Sequence, residues 1–133
     1  MHIDGKLHSH IGPGLLVLVG IATEDTRREA DYLTEKLIHL RIFADDEGRM
    51  NRSALDVSAD ILLVSQFTLY GDSRKGRRPS FGRAAPPGPA RELYEYVVEQ
   101  VRASGLTIGT GVFQADMRVE LVNDGPVTLL LDS

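Results

Sequence analysis

Leu15-Leu16-Val17-Leu18-Val19-Gly20-Ile21-Ala22 is the longest apolar run of the chain, and it follows a Gly12-Pro13-Gly14 turn. A continuous apolar run of this length, bounded by turn residues, predicts a strand that is buried on both faces. A membrane span would need about 18–20 apolar residues, so the run does not predict a transmembrane segment. A second run, Ile61-Leu62-Leu63-Val64, continues into Ser65-Gln66-Phe67-Thr68-Leu69-Tyr70 and predicts a second buried strand.

Two amphipathic helices are predicted, one before and one after this second strand. Asp25 or Thr26 can cap the first, because short polar side chains accept hydrogen bonds from the free amides at a helix start. Pro86-Pro87-Gly88-Pro89 introduces the second helix, and Gly105 favours its end. Apolar residues recur at helical spacing: Ala30, Leu33, Leu37 and Leu40 in the first helix, and Ala90, Leu93, Tyr94, Val97 and Val101 in the second. Each helix is therefore expected to bury one face.

Two more strands are predicted towards the C-terminus. Met117-Arg118-Val119-Glu120-Leu121 alternates apolar and polar residues, and the stretch from Val127 to Leu131 is apolar. No repeat or break in composition divides the 133 residues, so residues 1–133 are expected to form a single α+β domain. Turn-connected strands favour a largely antiparallel sheet, and a parallel doubly wound fold is disfavoured because no glycine-rich phosphate loop follows a strand.

Composition and charge narrow the class of protein. The absence of cysteine excludes disulfides, iron–sulfur clusters, thiolate zinc sites and a Cys nucleophile. The start of the chain, Met1-His2-Ile3-Asp4-Gly5, lacks the basic and apolar segments of a signal peptide, so a soluble, cytoplasmic protein is expected. The net charge of −4 argues against a general nucleic-acid coat.

Residues 74–83 form a basic segment without a single acidic residue. Its cations are Arg74, Lys75, Arg77, Arg78 and Arg83. A local basic segment on an acidic body predicts contact with an anionic partner, and a solvated surface loop is the alternative interpretation.

Familiar catalytic and metal-binding patterns are missing from the sequence. It has no GxSxG, HExxH or Walker motif. His8 and His10 would share one face of a strand, but two imidazoles without a third ligand bind a metal poorly. The sequence therefore predicts no metal and no cofactor.

Two polar segments are candidates for a functional site. Ser65-Gln66-Phe67-Thr68 extends a buried strand, where functional groups often project from a rigid scaffold. Strand alternation would place Ser65 and Phe67 on one face, and Gln66 and Thr68 on the other. The second segment, Asn123-Asp124-Gly125-Pro126-Val127-Thr128, contains an X-Pro bond that adopts the cis form comparatively readily. An ordinary strand end and an ordinary hairpin turn are the respective alternatives.

These two segments resemble the signature motifs of D-aminoacyl-tRNA deacylase. The resemblance extends through further blocks in uninterrupted order and covers the chain from Ile3 to Ser133. The blocks are Leu40-Arg41-Ile42-Phe43, Gly48-Arg49-Met50-Asn51, Arg77-Arg78-Pro79-Ser80-Phe81 and Ala115-Asp116-Met117. The resemblance implies an α+β, dimerising domain with a largely antiparallel, barrel-like sheet and two flanking helices. It also implies a homodimeric enzyme that hydrolyses the ester between a D-amino acid, or glycine, and the 3′ end of tRNA.

The resemblance further implies roles for individual residues. Ser65, Gln66, Phe67 and Thr68 would line the catalytic pocket, with the Phe67 amide holding the ester carbonyl. Gly125 and Pro126 would form a cis-proline element that crosses into the partner's pocket, captures the substrate amino group and rejects L-amino acids. Asn123 and Thr128 belong to the same motif. The tRNA contacts would be Arg74, Lys75, Arg77 and Arg78 at the acceptor stem, and Phe113 and Met117 at the terminal adenosine.

The chemical step and the function each have an alternative. The 2′-hydroxyl of the RNA beside the ester could help activate water, whereas Thr68 as a covalent nucleophile is the rival mechanism. A catalytically impaired tRNA-binding module of the same fold and a small-molecule esterase are the rival functions. Members of the family carry an additional strand before the position of Met1, so the chain is expected to lack the first strand. No membrane or DNA partner is expected.

Overall fold

The computed structural model describes residues 1–133 and is organised around a short parallel sheet. In chain order the strands are β1 (His2–Ile3), β2 (Lys6–Leu7), β3 (Gly14–Val19), β4 (Phe43–Ala44), β5 (Met50–Arg52), β6 (Asp60–Ser65), β7 (Ile108–Thr110) and β8 (Met117–Arg118). The helices are α1 (Arg27–His39), α2 (Ala54–Val57) and α3 (Pro87–Ala103), and a 3₁₀ helix covers Phe67–Tyr70. None of the helices combines the length and apolar content needed to cross a bilayer.

Strand β6 is the centre of the main sheet, whose order is β3-β6-β7. Both neighbours run parallel to it, with Val19 opposite Ser65 and Thr110 opposite Leu63. Parallel neighbours need a crossover connection, and α1 and α3 lie in the two connections. The carboxyl ends of all three strands therefore meet at one edge of the sheet.

The side chains of β6 alternate between two hydrophobic clusters. Ile61 and Leu63 are fully buried and pack in the cluster formed with the helices, which includes Val97 and Val101 of α3. The opposite face, with Leu62 and Val64, packs against Met1 and Met117 among others. This alternation explains why the run is apolar without interruption: a strand covered on both faces has no solvent side.

Both long helices begin and end near the predicted residues. Thr26 caps α1, and it forms a reciprocal capping box with Glu29, whose carboxylate accepts from the Thr26 amide at 2.8 Å. Helix α3 starts with Pro87 at its first position, where the missing amide hydrogen has no cost. Gly105 follows its end with a φ of 90°. The predictions of these two helices and of a strand at β3 are confirmed, but β3 is not buried on both faces: its residues are half-buried or exposed, and Leu18 is 43% exposed.

The prediction of a largely antiparallel, barrel-like sheet is wrong. The main sheet is parallel and open, and the antiparallel pairs β1–β2, β1–β8 and β4–β5 involve strands of two or three residues. The helical crossovers return the chain to the same end of the sheet, which imposes the parallel direction. The structure also has a third helix, the short α2, which the sequence did not predict.

Three predicted strand segments also differ from the structure. The strand predicted for Met117–Leu121 is limited to Met117–Arg118, and no strand forms at Val127–Leu131. Residues from 121 to the C-terminus are exposed and have no neighbouring strand, and a strand needs a partner for its backbone hydrogen bonds. His8 and His10 lie outside β2, so they do not share a strand face.

Candidate active site

The first candidate segment, Ser65-Gln66-Phe67-Thr68, lies at the carboxyl edge of the parallel sheet. Ser65 is the last residue of β6, and the Gln66 amide donates to the Val19 carbonyl at 2.8 Å. The chain then turns into the 3₁₀ helix instead of continuing as a strand, so the predicted alternation of Ser65 and Phe67 on one face does not occur. Crevices outside the carboxyl ends of parallel strands are the usual ligand sites of open sheets.

The polar groups of this segment are accessible but include no base. Phe67 and Thr68 are exposed, and the Gln66 side-chain amide donates a hydrogen bond to the Thr68 hydroxyl. An amide group cannot accept the proton of a hydroxyl that attacks an ester, so Thr68 has no general base next to it. The amide of Phe67 forms no hydrogen bond within the chain and is available as a donor.

Two aromatic rings meet at this edge of the sheet. Phe67 and Phe81 are 56% and 37% exposed, and their ring centroids lie 5.1 Å apart in an edge-to-face arrangement. Tyr70, the last residue of the 3₁₀ helix, is partly buried, and its burial raises the pKa of the hydroxyl. The Arg83 guanidinium lies over the Tyr70 ring, 5.3 Å from its centroid. Phe81 belonged to one of the recognised sequence blocks, but its contact with Phe67 could not be seen in the sequence.

The loop of the basic segment is closed at its base by backbone pairing between Asp72 and Ser80. The amide of Asp72 donates to the Ser80 carbonyl at 2.7 Å, and the Ser80 amide donates to the Asp72 carbonyl at 2.8 Å. The loop between them, residues 73–79, is exposed along its whole length. This pairing places the cations of the loop on a short, anchored projection.

The cations of this segment fall into two groups. Arg74 is paired with Asp72 at 2.7 Å, which lowers the pKa of the Asp72 carboxyl to about 2, and Arg83 is paired with Glu24 at 3.2 Å. The remaining cations, Lys75, Arg77 and Arg78, are exposed and form no ion pair. These three are free to bind an external anion.

The second candidate segment is an exposed turn that its own side chains hold together. The Asn123 carboxamide oxygen accepts from the Val127 amide at 3.0 Å, and its nitrogen donates to the Thr128 hydroxyl at 3.0 Å. The Gly125–Pro126 peptide bond is cis, and Gly125 has a φ of 150°. No hydrogen bond joins this turn to Ser65–Thr68 within the chain. One copy of the chain therefore does not bring the two segments together by direct hydrogen bonds.

Phe113 and Met117 do not form a common surface. The Phe113 ring packs in the helix-side cluster, 6.3 Å from the centroid of Tyr94, whereas Met117 packs in the cluster on the opposite face of the sheet. Both side chains are half-buried rather than open to solvent. No group of three or more His, Asp and Glu side chains is arranged to hold a metal ion.

Comparisons with known proteins give a consistent result. Residues 1–132 match the family described as D-Tyr-tRNA(Tyr) deacylase. The D-aminoacyl-tRNA deacylase of Koribacter versatilis is 60% identical over 131 residues, which cover 98% of this chain and 88% of that protein. The D-aminoacyl-tRNA deacylase of Heliobacterium modesticaldum is 58% identical over 130 residues, covering 98% and 87% of the two chains.

Two solved structures are similar. A protein described as c-Myc DNA Unwinding Element Binding Protein superposes with a TM-score of 0.92 at 40% identity, covering 99% of this chain and 90% of that one. A probable eukaryotic D-amino acid tRNA deacylase gives a TM-score of 0.61 at 25% identity, covering 71% of this chain and 55% of that one.

Proposed function

The chain belongs to the D-Tyr-tRNA(Tyr) deacylase family. On this basis we propose which of its residues bind the substrate, catalyse its hydrolysis and select the D-amino acid. Its activity is hydrolysis of the ester bond that joins a D-amino acid to tRNA. We propose that residues 1–133 form one deacylase domain that acts as a homodimer and also accepts glycyl-tRNA. We infer that the enzyme works in the cytoplasm.

The observation that carries the proposed mechanism is the unengaged Phe67 amide beside exposed polar groups at the end of β6. Ester hydrolysis develops negative charge on the carbonyl oxygen, and a fixed main-chain N–H stabilises that charge. The Phe67 amide is the donor for this oxygen, while Ser65 and Gln66 line the pocket. The rigid end of a buried strand keeps the donor in position.

Water is activated by the substrate rather than by a side chain. The only hydrogen bond of the Thr68 hydroxyl is to the Gln66 amide, which cannot act as a base. The 2′-hydroxyl of the terminal ribose lies next to the ester in every aminoacyl-tRNA and can orient a water molecule. Substitution of Thr68 by Ala should then retain most of the activity, whereas a tRNA ending in 2′-deoxyadenosine should be a poor substrate. The opposite pattern would establish Thr68 as the nucleophile.

The Asn123–Thr128 turn supplies the selection against L-amino acids. Its exposed position and its lack of hydrogen bonds to Ser65–Thr68 in the same chain support a model in which it enters the pocket of a second copy. Carbonyl groups of Gly125 and Pro126 would hold the substrate amino group there and leave no space for an L side chain. Discrimination by exclusion accounts for the acceptance of glycine, which has no side chain to exclude.

Exposed apolar side chains next to this turn support the dimer. They occur throughout the C-terminal stretch: Leu121 (58% exposed), Val122 (90%), Leu129 (57%) and Leu130 (78%). Several large apolar side chains exposed in one short stretch of chain are typical of an interface that a partner covers. Sedimentation at micromolar concentration tests it, with a dimer expected and a monodisperse monomer contradicting it.

The tRNA is held by the basic loop and by the pocket edge. Lys75, Arg77 and Arg78 have no internal partner and would bind acceptor-stem phosphates, with Arg74 adding less because Asp72 neutralises it. Phe113 and Met117 would contact the terminal adenosine. This last assignment requires the half-buried side chains to open towards the ligand, because they pack on opposite faces of the sheet.

One experiment separates the deacylase from its alternatives. D-Tyr-tRNA and D-tyrosine ethyl ester are offered to the chain, and tRNA binding is measured in parallel. A deacylase hydrolyses the tRNA ester far faster than the ethyl ester. A binding module retains tRNA without releasing tyrosine. A general esterase hydrolyses both esters, and its activity survives replacement of Arg77 and Arg78 by Ala. A duplex DNA competitor in the binding assay tests the expectation that DNA is not a ligand.

A further inference from the structure

Phe81 is an exposed aromatic residue with contacts at both ends of the 3₁₀ helix that carries the proposed carbonyl donor. Its ring meets the Phe67 ring edge-on, with centroids 5.1 Å apart and planes inclined by 62°. At the other end it lies against Gly71, where a Cβ would come within 3.1 Å of Phe81 Cε1. The Gly71 amide donates to the Thr68 carbonyl at 2.9 Å and closes the helix. Phe81 therefore contacts the turn at its first residue and again just after its last.

Phe81 is also fixed to the base of the basic loop. It directly follows Ser80, whose amide and carbonyl both pair with Asp72 at 2.8 Å and 2.7 Å. Its own carbonyl accepts from the Ala84 amide at 3.1 Å, just before the chain pairs with Ala22. The residue is thus held from both sides, and its ring is the only aromatic contact of Phe67. A displacement of the loop base would move this ring relative to Phe67.

The geometry points to Phe81 as a positioning residue that couples the basic loop to the ester site. This inference rests on the proposed role of the Phe67 amide. Phe67 is 56% exposed, so its ring is not packed in the core. The end of β6 fixes the backbone as far as Gln66, and the Phe81 ring supplies support to the residue that follows. Edge-to-face contact between aromatic rings is directional and favours one relative orientation. An RNA phosphate bound by the loop would fix Phe81, and Phe81 would then fix the direction of the Phe67 N–H.

The test compares Phe81→Ala and Phe81→Leu with the unaltered chain in deacylation of D-Tyr-tRNA. For F81A we expect kcat to fall about tenfold while KM for the tRNA changes less than about twofold, since small displacements of a donor reduce transition-state stabilisation. F81L should recover part of kcat because a branched apolar side chain still contacts Phe67. The matched control is Tyr32→Ala, which removes another half-exposed ring, on α1, and should leave kcat unchanged.

Hydrogen exchange of the Leu69 and Gly71 amides, which donate to the Gln66 and Thr68 carbonyls, gives a readout that does not depend on activity. Faster exchange of these amides in F81A than in Y32A is expected, with little change elsewhere. If the protein has no deacylase activity but F81A still shows this faster exchange, the proposed function is wrong, whereas the conclusion that Phe81 supports the turn stands. Unaltered exchange, an unaltered kcat, or an effect confined to KM would overturn the inference, the last by making Phe81 a simple RNA contact.

Discussion

The side-chain amide of Asn123 donates a hydrogen bond to the Thr128 hydroxyl at 3.0 Å, across a turn that contains Gly125 and Pro126. Its carboxamide oxygen accepts from the Val127 amide at the same distance. One side chain therefore closes the turn that we propose reads the chirality of the substrate. The surrounding residues are exposed, so these two bonds, rather than core packing, define the shape of the turn.

Replacing Asn123 by Ala removes both bonds. We expect the preference for D-Tyr-tRNA over L-Tyr-tRNA to fall about tenfold, equivalent to ~1.4 kcal/mol of transition-state selectivity. The free energy of unfolding should change by no more than about 1 kcal/mol, because the hydrogen bonds are exposed to water. Parallel deacylation assays and urea unfolding measure the two quantities. Thr128→Ser, which keeps the hydroxyl, should behave like the unaltered chain; full selectivity in N123A would contradict the role of the turn.

Gly125→Ala should be more damaging to catalysis. Gly125 has a φ of 150°, and an added Cβ would lie 2.9 Å from Val127 Cγ2 and 3.1 Å from the Val127 amide nitrogen. The turn must shift to relieve this overlap, so deacylation of D-Tyr-tRNA should fall by at least about tenfold. Gly88→Ala is the matched control, because a Cβ at Gly88 meets nothing within 4 Å and the residue lies in α3. Equal activity of G125A and G88A would remove Gly125 from the site.

The double substitution Arg77→Ala and Arg78→Ala should weaken tRNA binding. Neither arginine has an internal partner, so each is free to displace a counterion from a phosphate. Loss of two phosphate contacts should reduce the slope of log affinity against log salt by about 1.5–2. Arg102→Ala, which removes an arginine paired with Glu99 on α3, serves as the control and should not change the slope. A slope unaffected by R77A/R78A would exclude the loop from binding.

Asp72→Asn tests the charge at the base of the loop. The Arg74 guanidinium lowers the pKa of the Asp72 carboxyl to about 2, so the pair forms at all pH values above that range and neutralises Arg74. Asn retains an acceptor for the Arg74 amide but no charge, and the freed guanidinium should steepen the salt dependence of tRNA binding by about 1. The contribution of the pair to loop order is present above about pH 4 and is lost only as pH falls through about 2. Unchanged salt dependence in D72N would contradict this account.

Tyr94 provides a test of the fold at alkaline pH. Its hydroxyl donates to the Leu63 carbonyl at 2.9 Å, and burial raises the pKa of this hydroxyl. The neutral form therefore adds stability that is complete below about pH 10 and is lost as pH rises through the raised value of the folded state. Tyr94→Phe should lower the free energy of unfolding at pH 7 by about 1 kcal/mol and should lose less stability above pH 10. A parallel loss in both proteins would show that Tyr94 does not control this transition.

The local elements were predictable because their signals are local. The capping box at Thr26, the proline at the start of α3 and the uninterrupted apolar run of β6 each express physical preferences within a few residues. The direction of the main sheet was not predictable in the same way. It depends on where the chain re-enters the sheet after α1 and α3, which is set by contacts between residues far apart in sequence. The turn residues near the two ends of the chain instead suggested antiparallel pairing.

In the candidate site too, the local features could be predicted from the sequence and the contacts between distant residues could not. The sequence identifies Ser65–Thr68 and Asn123–Thr128 as segments, but it does not predict the hydrogen bonds by which Asn123 closes its turn. The conversion of Phe67–Tyr70 into a 3₁₀ helix and the contact between Phe67 and Phe81 were missed, because residues so far apart in sequence meet only after the loop base closes at Asp72 and Ser80. The predictions of strands at Met117–Leu121 and Val127–Leu131 fail in the opposite direction: only Met117–Arg118 forms a strand, and beyond it one copy of the chain offers no strand partner.

Side-by-side measurement of the initial deacylation rates of D-Tyr-tRNA and L-Tyr-tRNA by the 133-residue chain tests the central claim most directly. The account predicts hydrolysis of the D ester at least about a hundredfold faster than that of the L ester, or ~2.7 kcal/mol of discrimination. Equal rates for the two esters would contradict selection by the Gly125–Pro126 turn, and release of neither amino acid by the folded protein would contradict the deacylase assignment itself.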